Sequence, residues 1–499
     1  MSALLQEGSL ASKRGEALNR LNRYVEDLQR RRQPIESMEA FEREVRQLMA
    51  EVEQEVVGEG LSQFDIDAPV VEVDGRCYRQ VYRGPKRYLS AAGEVQVERS
   101  LYRAKPGEQA MCPLELRAGM VDGYWTPLAA RQGVWVPGQL PPGEGEALFR
   151  ELGNMRPSKS SLDRLSRELG EGWEAHREDF EASLCDAIRV PQGAVSVSAS
   201  LDGVMVPMKR PPGEVSSETA PESQGQGKGE AQVEAGNSDP VEANDEEKEN
   251  SEKKPFYKEA SCATLNFYDE EGERLDTLRF ARMPESGKKA LKSQLSEAVA
   301  AVLGQRPELQ LVKLADGAKD NWRFLTQELR PGEGVELIDF FHASDHLNDA
   351  LEAAYGKGST KAKAQHKKYR TLLRDEEGGV EKVIRALDYL KKKHPRRLKL
   401  ATELNYFRNN RHRMQYATAR AKHLPIGSGV TEAACKTLVT QRLKCSGMRW
   451  KTAGGQGVLT IRGLIQSNRF DAGWQLLSST YRQEVAMPEN VVPLNARCR

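Results

Sequence analysis

VSVSASLDG (195–203) and ELQLVKLADGAKDNW (308–322) are the two stretches whose reading decides the fold. Each is a short run of apolar and small residues that closes on an Asp-Gly pair, Asp202-Gly203 and Asp316-Gly317. Runs of this length, bounded by turn residues, read as buried strands. The first ends at Asp202; the second ends at Asp316 and leads into a helix. Between them, ASCATLNFYDEEGERLDTLRFARM (260–283) is a hairpin turning at Glu271-Gly272, and GKKALKSQLSEAVAAVLG (287–304) is an amphipathic helix. GVELIDFFHASDHL (334–347) gives a further strand, and residues 344–422 carry helical patterns without strands. SGVTEAACKTLVTQRLKCSGMRW (428–450) then reads as one helix after a turn at 425–429. This order predicts an α/β fold: a mixed sheet with parallel members, helices on its faces and an α-helical insertion.

Ligand sites in open α/β sheets lie at the carboxyl ends of strands. If the two strands are neighbours, Asp202 and Asp316 sit side by side there. Two adjacent carboxylates repel unless a cation or a proton separates them. Glu432 is a third candidate, the one acidic residue in an otherwise cationic stretch after Glu403. Taken singly, each Asp-Gly pair also fits a turn, and Glu432 also fits a helix N-terminus. Taken together, three hard oxygen donors suit magnesium, and a pair of such ions suits phosphodiester chemistry.

Charge is partitioned. Lys+Arg 74 against Asp+Glu 73 gives a net charge of +1 over 499 residues. Between Gly213 and Lys254, however, twelve acidic side chains face four basic ones, and the stretch reads as a disordered acidic loop. From Gly356 to Trp450 there are 24 Lys/Arg and 7 Asp/Glu, a net of +17. That is either a solvated helical face or the footprint of a phosphate-backbone binder.

The remainder organises around these segments. Residues 1–60 predict a helical region broken near Pro34, and 61–140 a β-hairpin region with turns at Asp74-Gly75 and Ala92-Gly93. Residues 141–190 carry two helices joined by a tight turn, capped at Ser158 or Ser160. They fit a plain helical hairpin or a helix-turn-helix in which Lys159 and Arg164 contact DNA. The core follows as 191–342 and 425–480, with the insertion at 343–424 and a tail at 481–499. Mean hydropathy is −0.64 and no apolar run reaches membrane-spanning length, so no membrane partner is expected. Seven cysteines without a CxxC pair read as reduced cytosolic thiols, and no secretory signal is evident. A G-x-S-x-G elbow and a P-loop are both missing.

Asp202, a hairpin, Asp316, a helical insertion and Glu432 together resemble the RNase H-like DDE transposases. SLDGVMVPM, RMPESGKK, LVKLADGAKDNW, DFFHASDHL and GSGVTEAACKTLVTQRLKCSGMRW resemble bacterial insertion-sequence transposases of the ISKra type. The resemblance spans about residues 60–475. It implies Mg²⁺-dependent cleavage and strand transfer on double-stranded DNA, both element ends and target. Asp202, Asp316 and Glu432 would be catalytic and hold two Mg²⁺ ions, with Mn²⁺ able to substitute. Water would free a 3′-OH that then attacks target DNA. Asp339-Phe-Phe-His342 resembles an Asp/Cys-x-x-His element, which implies a catalytic His342 near the scissile phosphate; the alternative is a buried structural histidine. Arg442, Lys444 and Arg449 would contact phosphates, and Trp322 and Trp450 would either stack on a base or fill the core. A homodimer or higher oligomer on DNA, in a bacterial, nucleoid-associated cytoplasmic setting, is the implied context. Two other readings stay open: a nuclease or resolvase on the same fold, and a catalytically silent, transposase-derived DNA-binding protein.

Overall fold

The computed structural model describes residues 15–30, 35–153, 155–210 and 256–488. The acidic stretch 213–254 lies outside them, as does most of the tail. Two helices, Glu16–Arg30 and Met38–Ser62, lead into an antiparallel sheet of β1 (Val70–Val73), β2 (Arg76–Ser90) and β3 (Gly93–Arg103). Asp74 and Gly75 both have positive φ, 48° and 73°, which is the backbone a two-residue hairpin turn requires. The region to residue 140 is not hairpin alone, because Pro113–Ala118 and Pro127–Gln139 are helices.

The second sheet has five strands: β4 (Ser196–Met208), β5 (Phe256–Tyr268), β6 (Arg274–Arg282), β7 (Gln310–Ala315) and β8 (Val335–Ile338). Their spatial order is β6-β5-β4-β7-β8. β4, β5 and β6 are antiparallel, while β7 and β8 run parallel to β4. The expectation of a mixed sheet with flanking helices is met, and β4 and β7 are direct neighbours.

β4 differs from expectation in length. Instead of ending at Asp202 it continues to Met208, paired with β5 throughout, while its pairing with β7 stops at Ala199. The two faces of the strand explain this. Val197, Ala199 and Leu201 pack into an apolar core with Leu265, Phe280, Leu295 and Val299. The opposite face begins with the small buried polar residues Ser196, Ser198 and Ser200 and passes through Asp202. Beyond Asp202 that same face becomes apolar, with Val206 and Met208 buried against Cys435, Leu438, Val439 and Leu443. Continued burial sustains the ladder past the aspartate.

The helical insertion is no separate body. Leu347, Leu351, Val383, Leu387, Leu400 and Phe407 share one core with Leu311 of β7 and Ile338 of β8. The predicted pair of helices is present as Pro142–Leu152 and Lys159–Ala175, with Ser158 accepting from the Ser161 N–H as N-cap. Leu162, Leu165, Leu169 and Trp173 of the second helix pack against Ile461, Leu464 and Trp474 from the C-terminal helices Thr452–Gln466 and Phe470–Ser479. At the crossing, Gly170 and Gly457 meet backbone to backbone: a Cβ on Gly170 would lie 2.7 Å from the Gly457 Cα. No helix among the described residues is long and apolar enough to cross a membrane.

Candidate active site

Asp202 lies in mid-strand on the face of β4 covered by the 429–443 segment. Its Oδ1 accepts from the Gly203 N–H at 2.6 Å, and Cys435 Sγ is 3.7 Å from its Oδ2. Burial pushes the carboxyl above its usual value. The Asp316 charge pushes the same way, and His342 opposes both.

Asp316 follows β7 directly. Its Oδ1 accepts from the Ala318 N–H at 3.1 Å and from Asn321 Nδ2 at 3.2 Å, an Asx turn that starts the Lys319–Gln327 helix. Its carbonyl accepts from the Trp322 indole N–H.

The third position is assembled by Asp339. The strand expected over 334–347 is only Val335–Ile338; Asp339 then caps a helix, Phe340–Tyr355, by accepting from the His342 N–H at 2.8 Å. Capping makes this sequence helical, so His342 sits half-exposed in a first helical turn and is neither buried nor at a strand end. The other oxygen of Asp339 accepts from the Ser428 N–H, immediately before the short Gly429–Ala434 helix that bears Glu432. His342 Nε2 and Glu432 Oε1 are 4.0 Å apart. Burial raises the Glu432 carboxyl. The negative charges of Asp339, Asp202 and Asp345 add to the rise, and His342 counters them.

The segment after Glu432 is not the single helix that periodicity suggests. Cys435–Thr440 is π-helical, followed by one short turn at Gln441–Leu443 and an irregular run to Trp450. π-segments are rare and are frequently found at functional sites. Thr431 Oγ1, one residue from Glu432, lies 2.7 Å from Thr264 Oγ1 of β5. Thr264 in turn accepts from Asn266, which also donates to Ser198 of β4. A buried hydroxyl and amide chain thus fixes the glutamate segment to the face that carries Asp202.

Asp202, Asp316, Glu432 and His342 therefore share one electrostatic neighbourhood, drawn from β4, the end of β7 and two helices separated by the insertion. Among the described residues, no group of three or more His, Cys, Asp or Glu side chains is arranged as a metal cage.

The residues expected to touch DNA divide into two sets. Lys159, Lys444 and Arg449 are exposed. Arg164 is exposed as well, with its Nε donating to Asp122 at 2.6 Å. Trp322 is 4% exposed and lies under the Arg413 guanidinium, which places it in the core and not on a surface a base could reach. Arg442 is 1% exposed; its Nε donates to the Pro137 carbonyl at 2.9 Å, and burial pushes the guanidinium down to about 10. It ties the glutamate segment to the Pro127–Gln139 helix and is not available to a phosphate. Trp450 is half-buried, its N–H donating to the Leu443 carbonyl at 2.9 Å and its backbone pairing with Pro207 and Lys209 at the end of β4.

Several site residues escaped the sequence reading: Asp339 as a clamp, the Thr264–Thr431 pair, and a group formed by Glu403, His346 and Tyr406. Only Asp339 left a local trace, as an Asp opening a helical pattern.

No protein-family model matches the chain, and no curated protein matches it. Among solved structures, it is similar to a chain of the Drosophila P element transposase strand transfer complex. Identity is 11% and the TM-score 0.23, with 72% of this chain and 82% of that one covered.

Proposed function

We propose that this chain is a DNA transposase of an insertion sequence, with Asp202, Asp316 and Glu432 as its catalytic carboxylates. One observation carries the reading. Acids from distant parts of the chain meet at one place: the Asp316 charge acts on Asp202, the Asp202 charge acts on Glu432, and His342 Nε2 lies 4.0 Å from Glu432 Oε1. The sheet order β6-β5-β4-β7-β8, with its last two strands parallel to β4, is compatible with an RNase H-like core.

Carboxylate oxygens are the donors that a hard divalent cation such as magnesium takes. The Asp202 charge raises the proton affinity of Glu432 and the Asp316 charge that of Asp202, and a dication would relieve such repulsion. Bound magnesium would supply positive charge opposite the attacking and leaving oxygens of a phosphodiester. His342, half-exposed beside Glu432, would hold a proton or donate to a phosphate oxygen. Exposed Lys361, Lys363, Lys367 and Lys368 on the Thr360–Asp375 helix, with Lys444 and Arg449, would hold the DNA backbone.

The test is a strand-transfer assay. A donor duplex taken from the DNA flanking the chain's own coding region, with a free 3′-OH, is incubated with target plasmid and Mg²⁺. Covalent joining is expected. Cutting without joining would point to a nuclease or resolvase, and binding without either would point to a silent DNA-binding protein.

A further inference from the structure

We propose that Tyr406 is the positioning donor for Asp316, an inference that rests on the metal reading of that carboxylate. Tyr406 comes from the Leu398–Asn410 helix of the insertion, and its ring lies directly on Gly317. A Cβ added to Gly317 would meet the ring Cε2 at 2.6 Å and the hydroxyl oxygen at 3.3 Å. That hydroxyl is buried and has no hydrogen-bond partner among the described residues. Gly317 directly follows Asp316, so the hydroxyl lies beside that residue.

The ring cannot turn away to find another partner. His346 stacks on it with centroids 3.7 Å apart and planes 24° apart. His346 Nδ1 is in turn 2.7 Å from Oε2 of Glu403, a buried carboxylate one turn earlier on Tyr406's own helix. A buried donor held without an acceptor is costly and rare in folded proteins, so this hydroxyl calls for a partner. The acceptor it fits is Asp316. Both described hydrogen bonds to that carboxylate fall on Oδ1, leaving Oδ2 for the phenol. Carboxylates that ligate metals are ordinarily oriented by such outer donors, whose loss weakens metal binding about 10–100-fold.

The experiment titrates Mn²⁺ into the full chain by calorimetry, comparing wild type with Tyr406→Phe and Asp316→Ala, and records Tm in metal-free buffer. Tyr406→Phe is expected to bind Mn²⁺ at least about tenfold more weakly. Its metal-free Tm should change little, because the substitution keeps the ring and its stack on His346. Mn²⁺ binding by Tyr406→Phe equal to wild type, with Asp316→Ala defective, overturns the Tyr406 assignment alone. Binding by Asp316→Ala equal to wild type overturns the metal reading itself, and this inference with it.

Discussion

Asp339 and Ser428 are joined by a hydrogen bond from the Ser428 N–H to Asp339 Oδ2, across 89 residues of chain. The same carboxylate, fully buried, receives the His342 N–H on Oδ1. One side chain therefore sets the start of the helix bearing His342 and the approach of the helix bearing Glu432. The 4.0 Å separation of those two groups follows from it.

Replacing that carboxylate tests the arrangement. Asp339→Ala strands the buried Ser428 N–H, at about 1–3 kcal/mol, and removes the cap on the His342 N–H. Urea denaturation should show a loss of at least about 2 kcal/mol, with Asp339→Asn losing less because its amide oxygen still accepts. Equal stability of Asp339→Ala and wild type would refute the clamp.

The contact of Gly170 with Gly457 fixes the second predicted DNA-contacting helix to the C-terminal helix. A methyl group there meets backbone, which cannot rotate aside. Gly170→Ala should therefore destabilise the fold by about 1–3 kcal/mol, although alanine favours helices in isolation. A raised Tm for this variant would show that the helices are free to separate.

How much of this was legible in advance depended on whether the determinant was local. Asp202 and Asp316 could be placed because each closes a strand-like run, and their strands proved to be neighbours. The continuation of β4 to Met208 was hidden: the acidic stretch separates it from its partner, and the apolar cover of Val206 and Met208 arrives from residues 435–443. Arg442 and Trp322 misled for a related reason. A guanidinium or an indole carries no mark of burial, and the carbonyl that receives Arg442 belongs to Pro137, 305 residues earlier. The π-segment after Glu432 has no sequence signature at all; apolar periodicity there predicts an ordinary helix.

Glu181 supplies a pH prediction away from the site. It is 4% exposed, its Oε2 accepts from Arg177 at 2.9 Å, and burial pushes its carboxyl from 4.5 up to about 7. Because the folded-state value is the higher one, folding takes up a proton. The associated stability is fully present below about pH 4.5 and is lost as pH rises through about 7. Between those limits, wild type should lose Tm relative to Glu181→Gln as pH increases. A difference in Tm that stays constant with pH would remove the assignment.

The central claim is that Asp202, Asp316 and Glu432 act as one metal-dependent site on DNA. It is tested most directly by cleavage of a supercoiled plasmid carrying the chain's own coding region and flanks, in Mg²⁺ and in EDTA. Wild type should cut at the element ends only with Mg²⁺. Asp202→Ala, Asp316→Ala and Glu432→Ala should each abolish cutting while retaining DNA in a gel-shift assay. Cleavage that survives any one of the three substitutions contradicts the account.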